Sequence, residues 1–401
     1  MARSRYLHPD SPWLLVLLAA LVALGPLSID MYLPAMPVMK DVFNTHISQV
    51  QLTMSSYLAG FAIFHLVCGP LSDRFGRKPI LLGGTALFVA ASIGCAQSSS
   101  IGELLLFRFI QGVGACVGPT LARATVRDLF GPVRAARALS LIAMLMALAP
   151  AVAPLLGGLA LLVFPWSSIF FFLAAYGLLM MALIHLLLVE SLPERQSLHP
   201  IAIARNFATL SRDRDYMAAV LTSCLVYAGM MTYVASSSFV FIDMYGVPRE
   251  YFGLVFLTAV LGYMAGSAMS ARLSSHYGSE QVLLTGVFVA LGASLLALPA
   301  WWLLPGKVLA LALPMGLYIV ALGLVMPHAM TLALRGYPQM AGTASSLLGF
   351  IQMSFAATVT AIVGTLLQDT PTPMVLSILT GAFFSVPLGL YLYRQRPAAG
   401  H

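Results

Sequence analysis

Charge is what this sequence has least of. Lys and Arg number 21 and Asp and Glu 14, so 35 of 401 residues (9%) are charged, while 60% are hydrophobic. Soluble domains carry roughly 25% charged residues because water must wet their surface. The deficit excludes a soluble enzyme, a disordered chain and a nucleic-acid binder; the surrounding partner is a lipid bilayer. Cysteine is scarce too. Cys68, Cys95, Cys116 and Cys224 all sit in apolar runs with no CxxC or Cys/His pairing, so neither a disulfide framework nor a metal site is expected. No HExxH, paired carboxylates or Ser/His/Asp arrangement occurs in those runs, so no enzymatic activity and no cofactor are expected.

What is present is a series of long apolar runs. A bilayer core of about 30 Å needs about 20 apolar residues per helix. Twelve runs qualify, near 13–36, 51–70, 79–97, 103–126, 137–162, 166–189, 216–242, 252–272, 281–303, 308–334, 343–367 and 372–393. The first, behind Arg3 and Arg5, outlasts a secretory signal core and lacks a convincing cleavage site. Gly and Pro total 33 and 24, a load that membrane helices tolerate because neighbouring helices satisfy the freed backbone groups. With the N-terminus inside, alternate loops carry 16 basic residues, against Lys40, Arg249 and Lys307 opposite, which predicts both termini in the cytoplasm. The charged stretch 190–215 reads as a cytoplasmic linker between a six-helix bundle over 1–189 and another over 216–401.

The halves repeat. A shift of 202 residues lays LSDRFGRKPILLGG (71–84) on LSSHYGSEQVLLTG (273–286) and Gly60 on Gly262. Because six helices is an even number, the repeat is parallel, the organisation of a transporter with its site near the membrane midplane. The second copy carries Ser275 and His276 where the first has Asp73 and Arg74, so the halves are not equivalent.

The loop GPLSDRFGRKP (69–79) resembles the signature of the major facilitator superfamily. PLSIDMYLPAMP (26–37), RFIQGVGA (108–115) and MAGTASSL (340–347) are similar to the bicyclomycin and chloramphenicol resistance branch of its drug/proton antiporters (Bcr/CflA family). The resemblance spans essentially the whole chain. It implies an all-α fold of two pseudo-symmetric six-helix bundles, with helices 1, 4, 7 and 10 lining the cavity. It also implies export of small amphiphilic drugs across the bacterial inner membrane by alternating access, driven by a proton gradient, with each chain a complete pathway.

Of the fourteen acids, Asp30 alone lies inside an apolar run. A carboxylate there costs roughly 2.5–3.5 kcal/mol on insertion scales, and such residues usually face an interior cavity and act. Arg108 in span 4 stands at similar depth. A static ion pair joining two helices is one reading; proton coupling through Asp30, biased by Arg108, is the other, and the resemblance implies the second. Gly25-Pro26 predicts irregular backbone just before Asp30. Where some relatives carry a further helix-1 carboxylate this chain has Val22, which favours neutral, zwitterionic or monocationic substrates. Gln111 shares the helical face of Arg108, and Tyr32 is a further candidate contact. Tyr227, Met230, Met231 and Val234 form a stripe suited either to an adaptable pocket or to plain packing. His65 and His328 read as interior histidines.

In the 69–79 loop, Gly69 and Gly76 permit a tight turn beside Arg74, Asp73 can accept backbone N–H bonds at a helix start, and Arg77 can reach Asp128. An Asp73–Arg77–Asp128 network predicts a cytoplasmic gate, with the start of span 11 near Asp73; retention of basic residues for topology alone is the alternative. Span 5 holds Pro150 and Pro154 with Gly157 and Gly158, similar to the antiporter helix-5 signature except for Ala153 before the proline. Three activities compete: an exporter, an uptake symporter for a metabolite on the same fold, and a membrane enzyme. The helix-5 signature argues for the first. A sensor would need a soluble domain, for which the terminal tails are short.

Overall fold

The computed structural model describes residues 11–130, 138–139, 142, 149–192 and 200–395. Among these, all regular structure is helical: α1 (Pro12–Asp30), α2 (Met36–Val42), α3 (Ile47–Phe75), α4 (Arg77–Gln97), α5 (Ile101–Ala115), α6 (Val117–Leu129), α7 (Ala149–Val163), α8 (Ser167–Leu187), α9 (Pro200–Arg212), α10 (Arg214–Ser238), α11 (Phe252–Leu273), α12 (Ser279–Leu303), α13 (Val308–Arg335), α14 (Ala341–Leu366) and α15 (Thr372–Arg394). Among the described residues, eleven helical stretches are long and apolar enough to cross a membrane. The twelfth predicted span, 137–162, is represented by the shorter apolar helix α7; most of its first half, including Ala147 and Leu148, lies outside the described residues, as do Arg134, Arg137 and positions 193–199 of the linker. Large apolar side chains such as Leu106, Phe172, Leu261, Leu313 and Phe383 stand exposed on these helices, a surface suited to lipid rather than water.

Two irregularities shape the first half, and both have proline as their cause. Helix α1 runs unbroken through Gly25-Pro26 and ends at Asp30, so the expected irregularity before Asp30 is absent. It comes after that residue instead. Pro34 disfavours α geometry at Leu33, and the chain tightens into a 3-10 turn over Leu33–Ala35 before resuming as α2. The fourth span divides into α5 and α6 at Cys116, where Pro119 has no N–H to return to the carbonyl four residues back.

The chain forms two compact units, Met1–His199 and Pro200–His401. In the first, α3 and α5 touch backbone to backbone: a Cβ on Gly60 would strike the Phe109 carbonyl, and one on Gly112 the Tyr57 carbonyl. In the second, Gly262 and Gly266 bring α11 onto the Gly316 and Val320 carbonyls of α13. The repeated pair Gly60 and Gly262 thus has the same duty in both units, contact with the fourth membrane helix of its own half. Part of the stretch read as a linker is itself helical. In α9, Leu210 is buried while Ile201, Arg205 and Arg212 are exposed.

Candidate functional site

Among the described residues, the most deeply buried charge is Arg108 of α5, with no solvent exposure. Its guanidinium carbon lies 4.5 Å from the ring centre of Tyr32, 4.6 Å from Tyr57 and 5.9 Å from Phe170. Each ring face attracts a cation, more strongly where water is absent. Nη1 donates to the Ser28 carbonyl at 3.1 Å and to Gln111 Oε1 at 2.7 Å, and Nη2 approaches Met54 Sδ at 3.8 Å. Ser28 belongs to the last turn of α1, whose carbonyls lack helical partners and carry the negative end of the helix dipole. Arg108 Nε has no hydrogen-bond partner among the described residues. Gln111 is held in turn by its Nε2 donating to Ser92 Oγ at 2.8 Å, and the Tyr32 hydroxyl meets Thr53 Oγ1 at 2.6 Å.

Asp30 closes α1 two residues beyond Ser28 and is 6% exposed. Ion pairs among the described residues do not join it to Arg108. The static-pair reading therefore does not describe this structure: the arginine takes aromatic faces, a carbonyl and an amide, and the carboxyl stands apart. Sequence could not supply this, because Tyr57 and Phe170 have no motif and look like ordinary core. Gly157 of α7 packs against the carbonyl of Met31, the residue after Asp30, and Pro154 and Gly158 are buried with it while Pro150 is half-buried. The helix-5 signature thus bears on the very turn that follows the carboxylate.

In the second unit, Met231 and Val234 are buried, whereas Tyr227 and Met230 are half-buried; the Tyr227 hydroxyl points to Met353 Sδ at 3.6 Å. His328 is an interior histidine whose Nε2 meets Ser270 Oγ at 3.0 Å and Ser274 Oγ at 3.3 Å.

The 69–79 loop builds a second charged cluster. Gly76 adopts a φ of 104°, open to glycine but strained for other residues, and turns the chain sharply from α3 into α4. Arg77 Nη1 reaches Asp73 Oδ1 at 2.5 Å and Ser72 Oγ at 2.5 Å, and its Nε reaches Asp128 Oδ2 at 2.9 Å. Arg74 instead lies exposed over the ring of Phe75, and Gly69 accepts from Ser72 Oγ through its carbonyl. Asp73 does not cap α4. Glu190, just past α8, takes the first backbone N–H groups, from Arg77 at 2.9 Å and Lys78 at 3.2 Å. Lys78 Nζ answers by donating to the His185 and Leu188 carbonyls at the end of α8. Glu190 was hidden by its place at the head of a charged stretch read as solvated.

Residues 18–361 match the Major Facilitator Superfamily. The chain is 35% identical to the uncharacterized MFS-type transporter YdgK of Bacillus subtilis, covering 89% of this chain and 90% of the relative. It is 31% identical to a bicyclomycin resistance protein homolog of Haemophilus influenzae, over 94% and 95% of the two chains. A multidrug resistance protein MdtL of Vibrio parahaemolyticus is 32% identical, over 84% and 85%. In fold it is similar to a D-xylose-proton symporter, with a TM-score of 0.75 at 17% identity, covering 96% of this chain and 98% of that one. The chain therefore belongs to the major facilitator superfamily of membrane transporters, as a multi-pass protein of the bacterial inner membrane.

Proposed function

We propose that the protein is a proton-driven exporter of small amphiphilic drugs, with Asp30 as the proton-carrying group. The observation that carries this reading is a buried carboxyl with no ion-pair partner among the described residues, at the end of the helix that also feeds a carbonyl to Arg108. Burying an ionised carboxylate without a partner is costly, and taking up a proton removes that cost. A deprotonated Asp30 would compete with the aromatic rings and the Ser28 carbonyl for the guanidinium. Proton occupancy and the position of Arg108 are in this way coupled, and a change at Arg108 is transmitted to Tyr32 and Gln111. Bound drug need only disfavour the protonated carboxyl for the two cargoes to exchange. The names of the bicyclomycin- and multidrug-resistance relatives support drugs as the cargo. Tyr227, Met230 and Met231 are the candidate apolar contacts in the second unit, and the Asp73–Arg77–Asp128 cluster the candidate cytoplasmic gate.

Purified protein in proteoliposomes tests this. Drug added to wild type releases protons, and a lumen-acid proton gradient, running outward, drives drug into the lumen against its own gradient. Asp30→Asn binds drug without either response. Full gradient-driven transport by Asp30→Asn would sink the assignment. Solute moving with the proton instead would favour an uptake symporter. A susceptibility panel in an exporter-deficient host, comparing wild type with Asp30→Asn and Arg108→Ala, identifies the drugs.

A further inference from the structure

The second half has its own version of the first half's charged cluster, and it is wired in reverse. Arg77 is the first residue of α4 and Asp128 lies in the last turn of α6, so a base at one helix start meets an acid at the next helix's end. Shifted by 202 residues, α4 becomes α12 and the α5–α6 span becomes α13. There Glu280, the second residue of α12, accepts from Arg335 Nη1 at 2.7 Å, and Arg335 is the last residue of α13. Acid and base have exchanged helices.

That exchange has a physical consequence. Helix starts favour negative charge and helix ends positive charge. Glu280 and Arg335 each stand at the favourable end and would stay there if the pair parted. Arg77 and Asp128 each stand at the unfavourable end, so each depends on the other. The clusters also differ in hydration. The Arg77 side chain is 10% exposed, between Asp73 and Asp128 at 36% and 17%. In so desolvated a cluster the loss of hydration nearly offsets the attraction, leaving closed and open forms close in free energy. Glu280 is 8% exposed but Arg335 is 54%, so that pair gives up less hydration on forming. Beside it, His328 bonds Ser270 and Ser274, fastening the end of α11 to α13; the matching first-half positions, Cys68 and Val126, have no such pair.

We propose that the two copies have diverged in duty: the Arg77–Asp128 cluster opens and closes, whereas Glu280–Arg335, with His328, is a fixed brace that stays shut. The first clause rests on the gate assigned above; the brace does not. Backbone hydrogen exchange of the full protein in lipid nanodiscs, without drug, reads both. In wild type, residues 73–82 exchange at least roughly tenfold faster than 275–284. Glu280→Arg with Arg335→Glu puts both charges at unfavourable ends and accelerates exchange in 275–284 by roughly tenfold, leaving 73–82 unchanged. Glu280→Gln, nearly isosteric, gives about threefold and serves where the double variant does not fold. Equal exchange of the two segments in wild type, or no acceleration in 275–284 in either variant, overturns the brace. Asp128→Asn is the separate arm: exchange in 73–82 unmoved by it removes the gate and leaves the brace standing.

Discussion

Arg108 is stacked on Tyr32, guanidinium carbon to ring centre 4.5 Å, and Tyr32 is only two residues from Asp30. Through Tyr32 the chain sets the cation of α5 against the turn that begins at Asp30, with no ion pair joining Arg108 to that carboxyl among the described residues. Any movement of the turn that follows Asp30 is felt by the ring, and through it by Arg108. Gly157 of α7 rests on that turn as well.

Lysine should not replace Arg108. Its compact ammonium keeps the charge but loses the planar stacking and the forked donors that reach Ser28 and Gln111 together. Arg108→Lys is expected to lower drug-driven proton release at least roughly tenfold and to cost about 1–3 kcal/mol of stability through the buried acceptors it leaves unpaired. Proteoliposome fluorimetry and a melting scan on one preparation check both.

Tyr57 separates ring from hydroxyl. Its OH reaches the Gly25 carbonyl only at 3.5 Å, whereas its ring covers Arg108. Tyr57→Phe should therefore retain at least roughly half of wild-type transport, and Tyr57→Leu should lose most of it along with about 1–3 kcal/mol of stability. Similar activity in both variants would show that the ring face is not used.

The α3–α5 contact predicts a contrast between two glycines of one helix. Gly112→Ala drives a methyl into the Tyr57 carbonyl, a backbone atom that cannot swing away, and should cost about 1–3 kcal/mol. Gly102→Ala has open space around it and should be neutral or slightly stabilising. Thermal midpoints of the two variants side by side decide it.

Glu190 should matter beyond its exposed position. Glu190→Ala strips the acceptors from the first turn of α4 and is expected to cost about 1 kcal/mol. The loss should localise: hydrogen exchange accelerates at the start of α4 and not at the start of α12, which Glu190 does not touch.

Much of this was legible in the sequence because the bilayer imposes a simple rule. Apolar runs of sufficient length must become helices, so the predicted span 281–303 and the observed α12, Ser279–Leu303, differ by two residues. Proline effects were legible in kind but not in place: Gly25-Pro26 is absorbed within α1, and Pro34 makes the break. Asp30 and Arg108 stood out by being charged where charge is costly. Asp73, Arg77 and Asp128 did so by sitting in a short loop and at a helix end.

The sequence by itself determined the helical spans, the parallel repeat and the small set of charges that had to be explained. Those follow from composition and spacing, which the solvent constrains locally. The loop motif already pointed to Arg77 with Asp73 and Asp128; for the other charges, tertiary structure decided what each one touches. Arg108 faces Tyr57 because glycines bring α3 onto α5; Glu190 caps α4 from 113 residues away; Glu280 meets Arg335 across a reversed copy of the first loop. Partner choice depends on which side chains packing brings within a few ångströms, and no local pattern of residue types encodes that.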